Sequence, residues 1–180
     1  ELLGDINGKR ILDYGCGSGK FSRVLAEKGA EVIAVDPTES MLALARAQNC
    51  QRINYQRIVD NDISFVDTID DAVATYVLCG RADDQEARNI IKNIYGKLPA
   101  GGSFVVLDPH PMNRSGADRS GLVRICLEGM QNPIFDYWRP VEKYVSLFKE
   151  SGFTLDTVLE PKDEQGNPQM LILRGRKCIR

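Results

Sequence analysis

Leu12-Asp13-Tyr14-Gly15-Cys16-Gly17-Ser18-Gly19 is the stretch that decides the fold. Lys9 to Tyr14 reads as a short buried strand, ended by Gly15. Lys20 to Lys28 reads as the helix that follows, with Phe21, Val24 and Leu25 on one face and Gly29 as its stop. Between them, glycine at every second position strips side chains from a turn, which a backbone needs where it closely approaches a ligand. Dinucleotide-binding domains carry a related turn, and three details separate the two. The third glycine comes two residues after the second rather than three. An acidic residue, Asp13, lies inside the motif. The chain also finishes on a strand pair foreign to the usual dinucleotide fold. A purely structural glycine turn is the alternative reading of the same residues.

Outward from this unit, strands and helices alternate. Glu31 to Val35 is a second strand closed by Asp36-Pro37, and Thr38 can cap a helix whose apolar face includes Met41, Leu42 and Ala45. Arg52 to Val59 and Asp71 to Leu78 read as the third and fourth strands. Asp83 or Asp84 caps a helix bearing Ala87, Ile90, Ile91, Ile94 and Tyr95 at helical spacing. Pro99 to Gly102 is a turn, and Ser103 to Leu107 is a fifth strand. This rhythm predicts βαβ units and a parallel sheet. Pro140 to Glu150 is a final helix. Phe153 to Leu159 and Gln169 to Arg174 are two strands joined only by a turn-rich link, so they must pair antiparallel. The predicted fold is α/β: a Rossmann-like three-layer sandwich on a mostly parallel seven-stranded sheet, ending in an antiparallel strand pair, with residues 1–180 forming one domain. Residues 109–139 form an insertion after the fifth strand. Leu122, Ile125, Cys126 and Met130 recur there at near-helical spacing, so it is expected to hold a helix, and it ends in the aromatic group Phe135, Tyr137 and Trp138.

Composition narrows the partners. Of the 180 residues, 43% are hydrophobic and 27% charged, which is ordinary for a soluble protein. No apolar run approaches the ~20 residues of a membrane span. The five cysteines (Cys16, Cys50, Cys79, Cys126, Cys178) are scattered and show no paired spacing. That argues against a metal site or a disulfide scaffold and suits the cytoplasm. The net charge of −2 disfavours nucleic acid, whose binding relies on basic surface. Only Arg174, Arg176, Lys177 and Arg180 cluster, and a solvated strand end explains them. A small-molecule partner fits best, with no nucleic acid and no membrane.

The glycine segment resembles motif I of class I S-adenosylmethionine-dependent methyltransferases, and Val32-Ile33-Ala34-Val35-Asp36 resembles motif II. Asp70 to Leu78 is similar to motif IV, and Leu98-Pro99-Ala100-Gly101-Gly102 resembles the turn before the family's fifth strand, with Ala100 replacing a glycine. The segment from Tyr137-Trp138-Arg139-Pro140 to Glu160-Pro161 is similar to the bacterial small-molecule branch. The resemblance implies S-adenosylmethionine as cofactor, with no metal. Asp13, Gly15, Cys16, Gly17 and Gly19 would hold it, together with Asp36, Pro37 and Met41. Asp36 would take both ribose hydroxyls, and Leu78 and Cys79 would face the methionine part. Asp62 and Ile63 would hold the adenine, with Asp60 competing for that place. Family members carry N-terminal helices before the first strand. Here the chain opens at Glu1, a few residues before it, which reads as a fragment or a trimmed chain.

The acceptor is addressed less directly. His110, the only histidine, follows the fifth strand in Asp108-Pro109-His110-Pro111 and is the candidate catalytic base, or else a turn histidine fixed between prolines. The place after the fourth strand reads Leu78-Cys79-Gly80-Arg81, without the Asn/Asp-Pro-Pro-aromatic motif of amino-methylating DNA enzymes. Cys79 lacks the proline context of a cytosine C5 nucleophile. The expected activity is methyl transfer to an O or N atom of a small molecule. The alternatives are a noncatalytic or embedded methyltransferase-like domain, or an RNA or protein methyltransferase.

Overall fold

Ile11 and Leu12 are neighbours in sequence, both fully buried, and they enter different cores. Side chains alternate across a strand, so a strand apolar at successive positions requires cover on both faces of its sheet. A computed structural model describes residues 2–113, 122–125 and 134–178, and it supplies that cover. The elements run β1 (Arg10–Tyr14), α1 (Lys20–Glu27), β2 (Glu31–Asp36), α2 (Glu39–Arg46), β3 (Ile53–Arg57), β4 (Asp71–Thr75), α3 (Asp84–Lys97) and β5 (Ser103–Pro109). After these come β6 (Leu122–Ile125), β7 (Ile134–Tyr137), α4 (Val141–Glu150), β8 (Phe153–Leu159) and β9 (Met170–Lys177).

Seven strands form one sheet in the order β3-β2-β1-β4-β5-β9-β8. The pairs from β3 through β5 are parallel, while β9 runs antiparallel to both β5 and β8. The architecture is the Rossmann-like α/β sheet that the sequence predicts. One core packs Leu12, Ala72, Phe104 and Leu171 of the sheet under α3 and α4, and the other packs Ile11, Val32, Ala34 and Val73 under α1 and α2. Phe104, Phe148 and Phe153 fix α4 to the sheet, with ring centroids 5.4–5.9 Å apart. Among the described residues no helix is long and apolar enough to cross a membrane.

Three expectations are corrected. The helix predicted inside 109–139 is not found at its start, where Leu122–Ile125 pairs antiparallel with Ile134–Tyr137. Leu-Val-Arg-Ile and Ile-Phe-Asp-Tyr are rich in β-branched and aromatic residues, which favour a ladder, and a spacing of three between Leu122 and Ile125 does not distinguish the two structures. Cys126 and Met130 lie outside the described residues. Thr38 occupies the cap position of α2 without a capping side-chain bond; its own backbone N–H is taken by Asp36 Oδ1 at 2.8 Å. The fourth strand stops at Thr75 rather than Leu78. Tyr76 adopts φ 60°, which turns the chain out of the sheet into a short 3-10 turn at Leu78–Gly80.

Candidate active site

The chain leaves β1 for β2 and β3 on one side, then returns to β4 and β5 on the other. Such a reversal opens a crevice at the carboxyl ends of the two central strands, where open α/β sheets take ligands. Here the loop after β1 and the turn after β4 face each other across it. A Cβ on Gly15 would overlap Val77 Cγ2, so the two can meet only because residue 15 has no side chain. Gly17 has φ 53°, and a Cβ there would enter open space. Its bareness is set by that backbone conformation, and it leaves this face of the loop open.

Asp36 closes β2 beside this loop. Its Oδ2 accepts the Gly17 N–H at 2.8 Å while Oδ1 accepts that of Thr38 at 2.8 Å, so one carboxylate joins the loop to the start of α2. Each oxygen keeps a lone pair for a further donor. Asp13 lies beneath the loop, wholly buried. Oδ2 accepts the Ser22 hydroxyl at 2.5 Å, and Oδ1 has no partner within the protein. Burial pushes its carboxyl up to about 6, against the lowering pull of the Ser22 bond, with the nearby Asp36 charge adding to the rise. Burial likewise pushes the Cys16 thiol up to about 12, so it is a neutral wall and not a nucleophile.

Two clefts flank Asp36. The larger, about 550 Å³, is lined by Gly15 to Ser18 and by Phe21, Met41, Tyr76 and Leu107. The smaller, about 300 Å³, is lined by Pro37, Asp60, Asn61, Arg81 and Glu86. Asp60 and Asn61 both have positive φ, and Asn61 is held by Tyr14 Oη at 2.8 Å and by its own bond to Glu86. Asp62 follows on the same loop. It is exposed, and its two oxygens accept the backbone N–H and hydroxyl of Ser64. Ile63 is buried in the core under α3. Leu78 and Cys79 are buried behind the turn. His110 is 3% exposed; its Nδ1 accepts the Met112 N–H at 3.2 Å, which puts the ring proton on Nε2, 2.9 Å from Glu160 Oε1.

The arrangement is a backbone cradle with one acidic residue beneath the glycine loop and another beside it, the pattern for a ligand carrying hydroxyls and a cationic group. A family model described as a methyltransferase domain matches residues 11–102, from the middle of β1 to the turn before β5. The chain is a class I S-adenosylmethionine-dependent methyltransferase. It is 33% identical over 193 aligned residues to N-demethylindolmycin N-methyltransferase of Streptomyces griseus, covering 94% of this chain and 81% of that one. The S-adenosylmethionine-dependent methyltransferase of Mesorhizobium loti superposes with a TM-score of 0.79 at 26% identity, over 98% of this chain and 94% of that structure. DhpI, solved with S-adenosylhomocysteine, shares the fold with a TM-score of 0.74 at 20% identity, over 98% and 80%.

The methyltransferase thus places Gly15, Cys16, Gly17 and Met41 on the larger cleft and Pro37 on the smaller, with Asp36 bonded to Gly17 and Asp13 buried beneath the loop. Asp62 and Ile63 follow directly on Asn61, which lines the smaller cleft. Two residues escaped sequence reasoning altogether. Asp108 is wholly buried at the end of β5 and accepts the N–H groups of Val77 and Cys79. Arg139, buried before α4, donates to the Leu78 and Arg81 carbonyls. A charged residue inside an apolar strand run (Asp108) was the one sign available for either.

Proposed function

We propose that this methyltransferase methylates a nitrogen atom of a small molecule. The observation that carries the reading is its likeness, along 94% of its length, to the Streptomyces enzyme named for N-methylation of N-demethylindolmycin. S-adenosylmethionine supplies, when bound, a sulfonium methyl group open to in-line displacement. The protein's own part is to orient and to exclude water. The unpartnered Oδ1 of Asp13 and the open face of Gly17 support placing the cofactor on this loop. Asp36 is suited to the ribose hydroxyls. Asp60, which lines the smaller cleft, is better placed than Asp62 for the adenine. Phe21, Met41 and Tyr76, all exposed at the larger cleft, are suited to cover the reacting atoms. The free thiols of Cys16, Cys50 and Cys178 accord with a cytoplasmic location.

A second reading, an oxygen acceptor with His110 as base, is favoured by the bond from His110 to Glu160. That bond fixes the ring with its lone pair on Nδ1, and the lone pair is free to act only if the Met112 N–H lets go. Incubation with S-adenosylmethionine and a mixed set of amines, including N-demethylindolmycin, and phenols separates the two by mass spectrometry. Methylated amine with the phenols untouched is the expected outcome. Methylated phenol alone, lost on His110→Gln, would overturn it.

A further inference from the structure

The turn after β4 is gripped from two sides by buried charge. Asp108, at the end of β5, spends its carboxylate on this turn: Oδ1 accepts the Val77 N–H at 3.1 Å and Oδ2 the Cys79 N–H at 2.8 Å. The Tyr144 hydroxyl, from α4, holds Oδ2 in place at 3.1 Å. From the other side Arg139 donates Nη1 to the Leu78 carbonyl, Nη2 to that of Arg81 and Nε to Asp84 Oδ1, each at 2.9 Å. Its guanidinium carbon lies 5.5 Å from the Tyr144 ring centroid, and the residue is 4% exposed.

Burying a guanidinium and a carboxylate is costly, and apolar side chains could fill the same volume more cheaply. What apolar groups could not do is hold the Val77 and Cys79 N–H groups and the Leu78 and Arg81 carbonyls of this turn. That stretch matters because Val77 touches Gly15, so the position of the turn sets the position of the glycine loop. Arg139 also stands two residues beyond β7, and β7 packs on this same turn, which ties the insertion to it.

We propose that Arg139 and Asp108 are positioning residues for methyl transfer, holding the 77–81 turn against the glycine loop so that cofactor affinity depends on two side chains that do not touch the cofactor. The proposal rests on the methyltransferase assignment and is independent of which acceptor is used.

The test needs only S-adenosylhomocysteine, titrated by calorimetry into folded protein, with the wild type as reference. Arg139→Ala should weaken binding by at least about ten-fold, the scale of hydrogen bonds to a charged group. Millimolar ethylguanidinium should restore affinity by refilling the vacated volume. Arg139→Lys should restore little, because an ammonium cannot span three acceptors held in a fork. Tyr144→Phe deletes one hydroxyl, keeps the ring and should fold; it should weaken binding by about three-fold, the scale of a single hydrogen bond. A purely structural role would lower the melting temperature and leave the folded variants' affinity alone. Wild-type affinity in Tyr144→Phe and in Arg139→Ala, or in Tyr144→Phe alone should the alanine variant not fold, overturns the proposal. So does a loss in Arg139→Ala that ethylguanidinium leaves unchanged.

Discussion

Asp36 accepts backbone N–H groups at both oxygens, so its loss acts twice. Asp36→Ala should weaken S-adenosylhomocysteine binding by about 1.5–3 kcal/mol, through the charged hydrogen bonds to the ribose and through a slackened Gly17 loop. Calorimetry on protein with an unchanged circular dichroism spectrum checks this, and an unaltered affinity would move the ribose contact elsewhere. Residues of this kind were legible in the sequence because their partners are local or follow from strand order: Asp36 ends the strand that lies beside β1. Arg139 and Asp108 were not legible in the same way. Arg139 reaches its carbonyl partner across 61 residues and Asp108 reaches Val77 across 31, and no local spacing encodes either distance. Asp62 is a third case, set by its immediate neighbours. Ser64, two residues on, offers it a closed local turn, and a short acidic side chain takes such a partner readily.

Among the elements, α4 depends on one aromatic ring. Phe148 is fully buried, stacks on Phe104 at 5.4 Å and lies so close to Gly175 that a Cβ there would come within 2.7 Å of it. A cavity at that place cannot collapse onto a side chain that Gly175 lacks. Phe148→Ala should therefore cost about 3–5 kcal/mol. Urea denaturation measures it, and a cost under about 1 kcal/mol would mean that α4 is held by its polar contacts instead. The helices and central strands were readable because each has a single period, 3.6 residues for one buried stripe or an unbroken apolar run for two buried faces. The β6–β7 pair was misread because four residues are too few for a period to show, and the choice between helix and ladder fell to a partner strand nine residues away.

The molecule as a whole carries an opposing acid term. Burial raises Asp108 to about 6, although hydrogen bonds from Tyr144, Cys79 and Val77 pull it down, and burial likewise raises Asp13 to about 6. Both lie above the unfolded value of 3.8, so the folded protein binds more protons than the unfolded chain between these limits. The contribution of each is fully present below the unfolded value and is lost as pH rises through about 6. It amounts to roughly 3 kcal/mol per group. Asp84 and Asp156, lowered by their Lys and Arg partners against a desolvation cost, act in the opposite sense. Comparing Asp13→Asn with wild type cancels them. The variant's urea midpoint, converted to stability, should lack a decline of about that size between pH 4 and 7. Parallel curves for the two proteins would show that Asp13 stays ionised. The mixed sheet was legible because alternating strands and helices call for parallel pairing and the short link between β8 and β9 calls for an antiparallel pair. The place of β9 between β5 and β8 has a further consequence, one of timing. A ribosome releases this chain from its first residue onward, and β5 is finished more than sixty residues before β9 begins. Throughout that interval the growing chain presents an unpaired edge of Val and Leu residues, the kind of surface that invites association with other chains. The nascent protein is therefore most in need of a chaperone while β9 is still being made, and the pairing of β9 with β5 ends the need.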